Sequence, residues 1–342
     1  MEQKRLSTGP LLNAKGDLTE AGYATSLVKE YRRKDAKGVS RIKEWYYYLI
    51  TDGKKGVALT IADNSYMGLI SLSLLDFENR CEKTVSPMTV FPFGKTGLPA
   101  TSAEGDVGVD MKSVKMDFVH TEEGRRLTCT MPNFADGKEA FVDILLTDEP
   151  AESMVIATPF EKKAHFYYNQ KIIGMRAAGC IALGDESYVF TPDASFGLLD
   201  WGRGVWTYSN TWYWGALMCE ADGHTFGFNI GYGFGDTSAA TENMLFYDGI
   251  AHKLEHVAFN IPKTADGKDD FLSPWTFTSS DGRLELSFAP VLDRASLTSA
   301  LIILSDQHQV FGHFSGKAIL DDGTEVIIKE ALGFAEKVRN KW

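Results

Sequence analysis

Turns built on Asp-Gly recur along this chain between runs in which apolar and polar residues alternate. Asp281-Gly282, for example, separates the run Trp275–Ser279 from the run Arg283–Phe288. Asp-Gly in this position is a strong hairpin signal, because both residues accept the backbone angles of a tight two-residue turn. The other turns of this kind are Asp52-Gly53, Asp222-Gly223 and Asp322-Gly323. The pattern predicts antiparallel β-hairpins in both halves of the chain.

Helical periodicity is scarce by comparison. The best helix candidate is the short segment Ala331–Arg339 near the carboxyl end, whose residues favour a helix locally. Elsewhere strands do not alternate with helical segments, which argues against a Rossmann-type or TIM-barrel enzyme. We therefore expect an all-β protein with one short C-terminal helix.

The length of 342 residues predicts roughly two domains. Residues 1–40 are rich in turns and are expected to form an extended arm that packs through its leucines. Pro150 and Pro159 flank a break between two strand-rich halves. We predict two tandem antiparallel β-barrels or sandwiches, the first over residues 41–155 and the second over residues 156–342.

Composition excludes several classes of protein. Lys and Arg total 35 against 46 Asp and Glu, a net charge of −11, so a dedicated nucleic-acid binder is not expected. The start of the chain lacks a secretory apolar region, and no apolar run reaches the roughly 18–20 residues that cross a bilayer. The four cysteines form no CxxC pair. We expect a cytoplasmic protein with free thiols and no membrane insertion.

No metal or organic cofactor is expected either. His252 and His256 are spaced as metal ligands on a helix would be, but their neighbours alternate as in a strand. On a strand their side chains would share a face about 13 Å apart, too far for one ion. His308 and His313 meet the same objection.

Four of the seven tryptophans lie between Phe196 and Trp214, together with Asp200 and Arg203. Gly202 and Gly204 bracket the arginine, and a bend there would bring Asp200 and Arg203 together as a bidentate pair. One interpretation is the floor of an aromatic-walled cavity, in which the pair orients a ligand. The other is a structural salt bridge beside a tryptophan-rich core. The residue types favour neither.

A second candidate segment follows the strand Thr225–Tyr232. Glu242 stands among apolar residues, and an apolar pocket would raise the pKa of its carboxyl so that it could act as a general acid. Alternatively, Glu242 and Asn243 satisfy backbone groups of a hairpin and Asp248 makes its turn. The candidate catalytic residues are Asp200, Arg203 and Glu242. The candidate substrate-binding residues are Trp201, Trp206, Tyr208, Trp212, Trp214, Asn229, Asn243 and Asp248.

Several of these motifs resemble the bacterial domain of unknown function 2804 family. They are Leu198–Trp206, Asn229–Gly233, Thr241–Asn243 and Asp281–Phe288, with Thr8–Leu12 and Asp17–Gly22 near the amino end. This resemblance spans nearly the whole chain and brings no established reaction.

A more distant likeness joins Gly179–Phe190 and Phe196–Gly202 to the carotenoid hydratase, tocopherol cyclase and lipocalin-like Diels–Alderase group. That group implies two lipocalin-like (calycin) barrels that hold apolar small molecules near the domain junction. It also implies hydration, cyclisation or rearrangement by acid catalysis and shape. The chain departs from the group by placing Arg203 and Gly204 directly after the shared Asp-Trp-Gly.

These observations predict a cofactor-independent enzyme of the hydratase, cyclase or isomerase type, acting on a small apolar or amphipathic molecule. The alternatives are a glycoside hydrolase and a non-catalytic ligand carrier. A protonatable carboxyl in an apolar cavity favours the first. Two carboxylates on opposite walls of a groove favour the second, and a cavity without a perturbed titratable group favours the third.

Overall fold

The structure is a computed structural model that describes residues 2–300 and 303–341. Among these residues it contains β-strands and two short 3₁₀ turns, Arg33–Asp35 and Val39–Arg41. The strands up to residue 205 are β1 (Gly9–Pro10), β2 (Gly22–Ala24), β3 (Lys29–Glu30), β4 (Ile42–Thr51), β5 (Lys55–Asp63), β6 (Met67–Asp76), β7 (Cys81–Val85), β8 (Met88–Val90), β9 (Val107–Met111), β10 (Val114–His120), β11 (Arg125–Ala135), β12 (Lys138–Thr147), β13 (Met154–Pro159), β14 (Phe166–Leu183), β15 (Glu186–Phe190) and β16 (Phe196–Val205). The later strands are β17 (Ser209–Ala221), β18 (His224–Tyr232), β19 (Met244–Tyr247), β20 (Ile250–Lys253), β21 (Val257–Asn260), β22 (Trp275–Ser279), β23 (Leu284–Ala300), β24 (Ile303–Ile319) and β25 (Glu325–Lys341).

Two large antiparallel sheets follow one another along the chain. The first has fourteen strands, with the central order β7-β6-β5-β4-β16-β14-β12-β11-β10-β9. The second has nine, in the order β20-β19-β18-β17-β25-β24-β23-β22-β21. A small parallel pair, β1 with β3, lies in the amino-terminal arm. The prediction of an all-β protein built from two successive antiparallel units is confirmed.

The tight turns form where the sequence predicts them. Asp222 and Gly223 join β17 to β18 with φ angles of +50° and +85°, the left-handed region that a two-residue hairpin turn requires. The Asp-Gly turns at 52–53, 281–282 and 322–323 likewise join strands that pair with each other. Local turn chemistry therefore fixes these hairpins.

Each sheet carries a hydrophobic cluster on one face, and a third cluster lies between the sheets. Side chains alternate along β4, so Tyr46 and Tyr48 belong to the cluster of the first sheet while Tyr47 belongs to the third. Phe334 of β25 reaches the third cluster from the second sheet, beside Trp214 of β17. We call this third cluster the intersheet junction, and the candidate site lies in it.

The predicted C-terminal helix is wrong. Ala331–Arg339 lies within β25, which pairs with β17 on one side and with β24 on the other. The segment places Phe334 in the intersheet junction and Ala335 in the cluster of the second sheet. Two-sided pairing and burial of both faces outweigh the weak local preference of Ala, Leu, Glu and Lys for a helix.

The change of sheet does not coincide with the predicted domain boundary. Strands over residues 154–205 hydrogen-bond within the first sheet, and the second sheet begins at Ser209. The division of the chain into domains at residue 155 itself stays a prediction. The arm packs through Leu6, Leu11 and Leu12, which are buried in the cluster of the first sheet.

The part of the chain that the structure describes contains no helix with the length and apolar character to span a bilayer.

Candidate functional site

The first part of the site comes from two adjacent strands of the first sheet. Asp200 on β16 and Lys171 on β14 are register partners, and their Oδ2 and Nζ atoms are 3.2 Å apart. The Asn169 amide donates to Asp200 Oδ1 at 2.6 Å and to the Trp201 carbonyl at 2.7 Å. Asp200 and Lys171 are both buried. Because each member has partners in place, neither charge is left unpaired in the apolar junction.

The second sheet adds an aromatic and amide layer to this pair. Lys171 Nζ stands 3.6 Å above the ring of Trp214, a cation–π contact between the two sheets. Trp214 Nε1 donates to Asn229 Oδ1 at 2.7 Å. The Asn229 amide donates to the Glu242 carbonyl at 2.8 Å and lies 3.5 Å from Glu242 Oε2. The chain of contacts therefore connects Asp200 in the first sheet to Glu242 in the second.

Glu242 lies in the loop between β18 and β19, where its side chain meets the backbone of β18. A Cβ atom at Gly231 would lie 2.7 Å from Glu242 Oε1, so glycine is needed for this approach. Glu242 is partly exposed, yet desolvation raises the pKa of its carboxyl, and the negative charge of Asp200 raises it further. Lys171 and the Asn229 amide act in the opposite direction. The net effect favours a proton on Glu242.

Glu336 supplies a third carboxyl from β25. It accepts hydrogen bonds from Trp212 Nε1 at 2.8 Å and from Gln309 Nε2 at 3.2 Å. Burial raises the pKa of Glu336 to about 7, against the opposing effects of the Trp212 hydrogen bond and of Lys171. Two carboxyls of the junction therefore have raised pKa values.

Two tyrosines of the first sheet face the same carboxyls. The Tyr47 hydroxyl lies 3.4 Å from Gln309. The Tyr167 side chain is 7% exposed, and burial raises the pKa of its phenol well above the usual value, with the charges of Glu242, Asp200 and Glu336 adding to the effect. Both phenols keep their protons at neutral pH and can act as hydrogen-bond donors.

Aromatic rings form one wall of the site. Trp206 packs edge-on against Trp45 at 5.5 Å, against Trp212 at 5.8 Å and against Phe234 at 4.8 Å. Tyr167 stacks on Trp45 at 6.1 Å and meets Phe234 edge-on at 4.8 Å. Trp45 and Trp212 remain partly exposed. The predicted roles of Trp206, Trp212 and Trp214 at an aromatic-walled site stay predictions, and the structure places all three at the junction.

The predicted Asp200–Arg203 pair is wrong. β16 stays a regular strand, so the two side chains point to opposite faces. Arg203 is fully buried on the far face, where it donates to the carbonyls of Pro99 at 2.6 Å, Gly202 at 2.7 Å and Trp45 at 3.1 Å. Its guanidinium lies 4.2 Å from the Trp201 ring, which is also on that face. Arg203 and Trp201 therefore belong to the core of the first sheet.

Three further candidates either hydrogen-bond to the backbone or lie at the surface. Asn243 is buried, and its side chain makes hydrogen bonds to two backbone groups. It accepts from Gly231 N and donates to the Glu255 carbonyl, both at 2.7 Å. Asp248 makes the turn to β20 and lies 2.7 Å from His224 Nδ1 on the surface. Tyr208 is 47% exposed. The hairpin interpretation therefore describes Asn243 and Asp248 correctly.

Sequence reasoning missed Lys171, Glu336 and Tyr167. A signal for Lys171 was present, because the polar run Asn169-Gln170-Lys171 interrupts a largely apolar strand. Glu336 was missed because its segment, Ala331–Arg339, was predicted to be a helix and not a strand of the second sheet. For Tyr167 no local signal existed, since tyrosines are common along both sheets.

No group of three or more His, Cys, Asp or Glu side chains within residues 2–300 and 303–341 is arranged to hold a metal ion. His252 instead lies 3.3 Å from the carboxylate of Asp321, and His308 lies 2.7 Å from that of Asp293 and 3.6 Å from that of Asp306.

A family model described as Domain of unknown function (DUF2804) matches residues 2–342. No curated protein matches the chain by sequence. Among solved structures, a Nitrosomonas europaea protein described as a candidate AttH superimposes with a TM-score of 0.54 and 14% identity, covering 96% of this chain and 98% of that one. This likeness supports the fold.

Two other solved structures align over a similar length with lower scores. CghA crystallised with Sch210972 has a TM-score of 0.47 and 10% identity, over 97% of both chains. Kievitone hydratase from Nectria haematococca has a TM-score of 0.47 and 11% identity, over 97% of this chain and 98% of that one.

Proposed function

We propose a function for this chain, which belongs to the family Domain of unknown function (DUF2804). It is an enzyme that acts by acid–base chemistry on a small apolar or amphipathic molecule. The reaction would be a hydration, cyclisation or isomerisation carried out at the intersheet junction without a cofactor. The observation that carries the proposal is the pair of carboxyls, Glu242 and Glu336, whose pKa values are raised beside the Asp200–Lys171 ion pair.

Glu242 is the better placed of the two acids. Its carboxyl is partly exposed, and among the described residues its one side-chain donor is the Asn229 amide, at the long distance of 3.5 Å. Glu336 is buried and accepts from both Trp212 and Gln309. Glu242 can therefore turn its proton toward a ligand, while Glu336 is held in place. A general acid works best with a pKa near the working pH.

The reaction involves no oxidation or reduction of the ligand. Proton transfer from Glu242 to a carbon or oxygen of the ligand leaves a carboxylate, which can remove a proton from another position. The net result is isomerisation. If water instead adds to the protonated ligand and gives its extra proton back to the carboxylate, the net result is hydration. The rings of Trp206, Trp212 and Trp214 would keep bulk water away and stabilise positive charge that develops on the ligand.

The test is proton exchange in D₂O with a panel of small enones, isoprenoid alkenes and aryl glycosides, analysed by mass spectrometry. We expect deuterium or water to enter at least one alkene or enone, and Glu242→Gln to slow this at least about a hundredfold. Glu220→Gln, an exposed carboxylate on β17, is the matched control and should leave the rate unchanged.

Other outcomes identify the alternatives. Release of the aryl group from a glycoside would favour a glycoside hydrolase. Binding of panel members with no chemical change in any of them would favour a carrier and contradict the proposed enzyme.

A further inference from the structure

Four large apolar side chains are exposed within six consecutive residues. Met88 and Val90 on β8 are 61% and 79% exposed, and Phe91 and Phe93, which follow the strand, are 61% and 42% exposed. The rings of the two phenylalanines stack on each other with their centroids 5.9 Å apart. We call these four residues the apolar patch. Clustered exposed apolar surface marks a site that another molecule covers.

The backbone that carries the two phenylalanines is held in place by hydrogen bonds. Phe91 N donates to the Tyr66 carbonyl and Phe93 N donates to the Ser65 carbonyl, both at 3.0 Å. Both phenylalanines have left-handed backbone angles, with φ of +52° and +48°, which are uncommon for a bulky residue. Conformations of this kind cost free energy and cluster at functional positions. The fold therefore keeps both rings in solvent at a cost in backbone strain.

Basic residues lie beside the apolar patch, although the whole chain has a net charge of −11. Residues 83–103 contain two lysines and no acid, and residues 31–41 contain five Lys or Arg and one acid. The two segments are in contact, because a Cβ atom at Gly94 would lie 2.5 Å from Arg33 Nε. Lys34 and Lys95, the next residues along each segment, are exposed, and across residues 2–300 and 303–341 neither forms an ion pair.

The acids at this contact leave the lysine charges in place. Glu44 forms an ion pair with Arg33, and Asp63 accepts a hydrogen bond from Gly94 N at 2.8 Å. Both of these carboxylates are buried, and Asp35, the one acid of residues 31–41, is partly buried. The solvent side of the contact is therefore basic.

We propose that the apolar patch, with Lys34 and Lys95, docks this protein on the surface of a lipid bilayer that carries anionic headgroups. The apolar side chains enter the boundary between headgroups and acyl chains, and the lysines meet the negative charges above it. Exposed aromatic rings beside unpaired lysines match these two layers of a bilayer surface. Only side chains enter one leaflet, which differs from a segment that crosses the bilayer.

Flotation of the full chain with lipid vesicles tests this inference. One set of vesicles contains phosphatidylcholine alone, and the other contains phosphatidylcholine mixed with phosphatidylserine. We expect the wild type to bind the mixed vesicles at least about fivefold more tightly than the neutral ones, and added salt to weaken that binding.

The double variant Phe91→Asn with Phe93→Asn removes both rings. Asparagine accepts the left-handed backbone angle, so the loop keeps its conformation. We expect this variant to bind the mixed vesicles at least about tenfold more weakly than the wild type. The control is Phe141→Asn on β12, where the phenylalanine is 39% exposed, and it should bind as the wild type does. A thermal melt of each variant confirms that it is folded.

The double variant Lys34→Gln with Lys95→Gln tests the role of charge. It should lose the preference for mixed vesicles and keep the wild-type affinity for neutral ones, because its apolar patch is unchanged. Its control is Lys112→Gln with Lys329→Gln, which removes two other exposed lysines, one between β9 and β10 and one on β25. This control should keep the preference.

The inference is overturned if the wild type binds neither kind of vesicle, or if the double phenylalanine variant binds them as the wild type does. Sedimentation velocity examines the other occupant of such a patch. Self-association that the double phenylalanine variant abolishes, without vesicle binding, would make the patch a contact between two copies of the chain and contradict docking on a membrane.

Discussion

The three carboxyls of the junction differ in how tightly they are held. Asp200 has a cation and an amide within 3.2 Å, and Glu336 has an indole and an amide within the same distance. Within the part of the chain that the structure describes, the Glu242 carboxyl has one side-chain donor, the Asn229 amide at 3.5 Å. The least restrained acid is therefore the one that is also partly exposed, which is the arrangement expected of a group that exchanges protons with a ligand.

Replacement of Glu336 by Gln should change how stability depends on pH. Burial raises the pKa of Glu336 from 4.5 to about 7, so the folded protein binds this proton more tightly than the unfolded chain does. Its contribution to stability is complete below pH 4.5 and is lost as the pH rises from 4.5 to 7. We expect the free energy of unfolding of the wild type to fall between pH 5 and pH 8 by up to about 3 kcal/mol more than that of Glu336→Gln.

Urea denaturation at the two pH values measures this difference. Glu220→Gln, on the surface of β17, serves as the control and should keep the wild-type dependence. If the free energy of unfolding changes with pH equally in the wild type and in Glu336→Gln, Glu336 is ionised throughout this range and the prediction is wrong.

At the scale of the element, β16 shows why its glycines are needed. Gly202 and Trp45 are register partners on neighbouring strands, and a Cβ atom at Gly202 would overlap the indole of Trp45. The φ angle of Gly202 is not in the left-handed region, so the requirement is for space and not for an unusual backbone conformation. The Gly202–Arg203–Gly204 pattern predicts a bend, and this prediction is wrong, because β16 pairs with β4 through these residues without a shift in register.

Gly202→Ala should therefore lower the melting temperature, because the indole of Trp45 has to leave its place in the aromatic wall. Overpacking of this kind typically costs about 1–3 kcal/mol. In the double variant with Trp45→Val the smaller side chain makes room, so we expect the two changes together to cost less than the sum of their separate effects. Additive effects would contradict close packing of Trp45 on Gly202.

Elements were predictable from the sequence where their cause is local. Asp-Gly turns determine hairpins by the backbone angles of two residues, and the hairpins at 222–223 and 281–282 follow from them. The helix prediction for Ala331–Arg339 is wrong because this segment forms a strand with partners far along the chain, β17 among them. The helix preference of individual residues carries no information about such pairing.

The site was predictable only in part for the same reason. Glu242 stood out because its sequence neighbours are apolar, and Asp200 because of the tryptophans around it. Lys171 and Glu336 join them through sheet register and intersheet packing, which no spacing along the chain records.

At the scale of the whole molecule, the site follows from strands that are buried on both faces. β4, β14 and β16 pack one face into the cluster of the first sheet and present the other to the second sheet. On the second face, Lys171 meets Trp214 of β17 and Tyr47 meets Gln309 of β24. The site therefore lies between the two sheets, where acids from both can meet away from bulk water.

The central claim is that this junction keeps a carboxyl protonated at neutral pH. Infrared difference spectroscopy of the full chain between pH 5 and pH 9 detects the stretch of protonated carboxyl groups directly. We predict a protonated-carboxyl band that persists at pH 6 to 7 in the wild type, loses intensity in Glu242→Gln and again in Glu336→Gln, and is unchanged in Glu220→Gln. A wild-type spectrum without any protonated carboxyl at pH 6 would contradict the account.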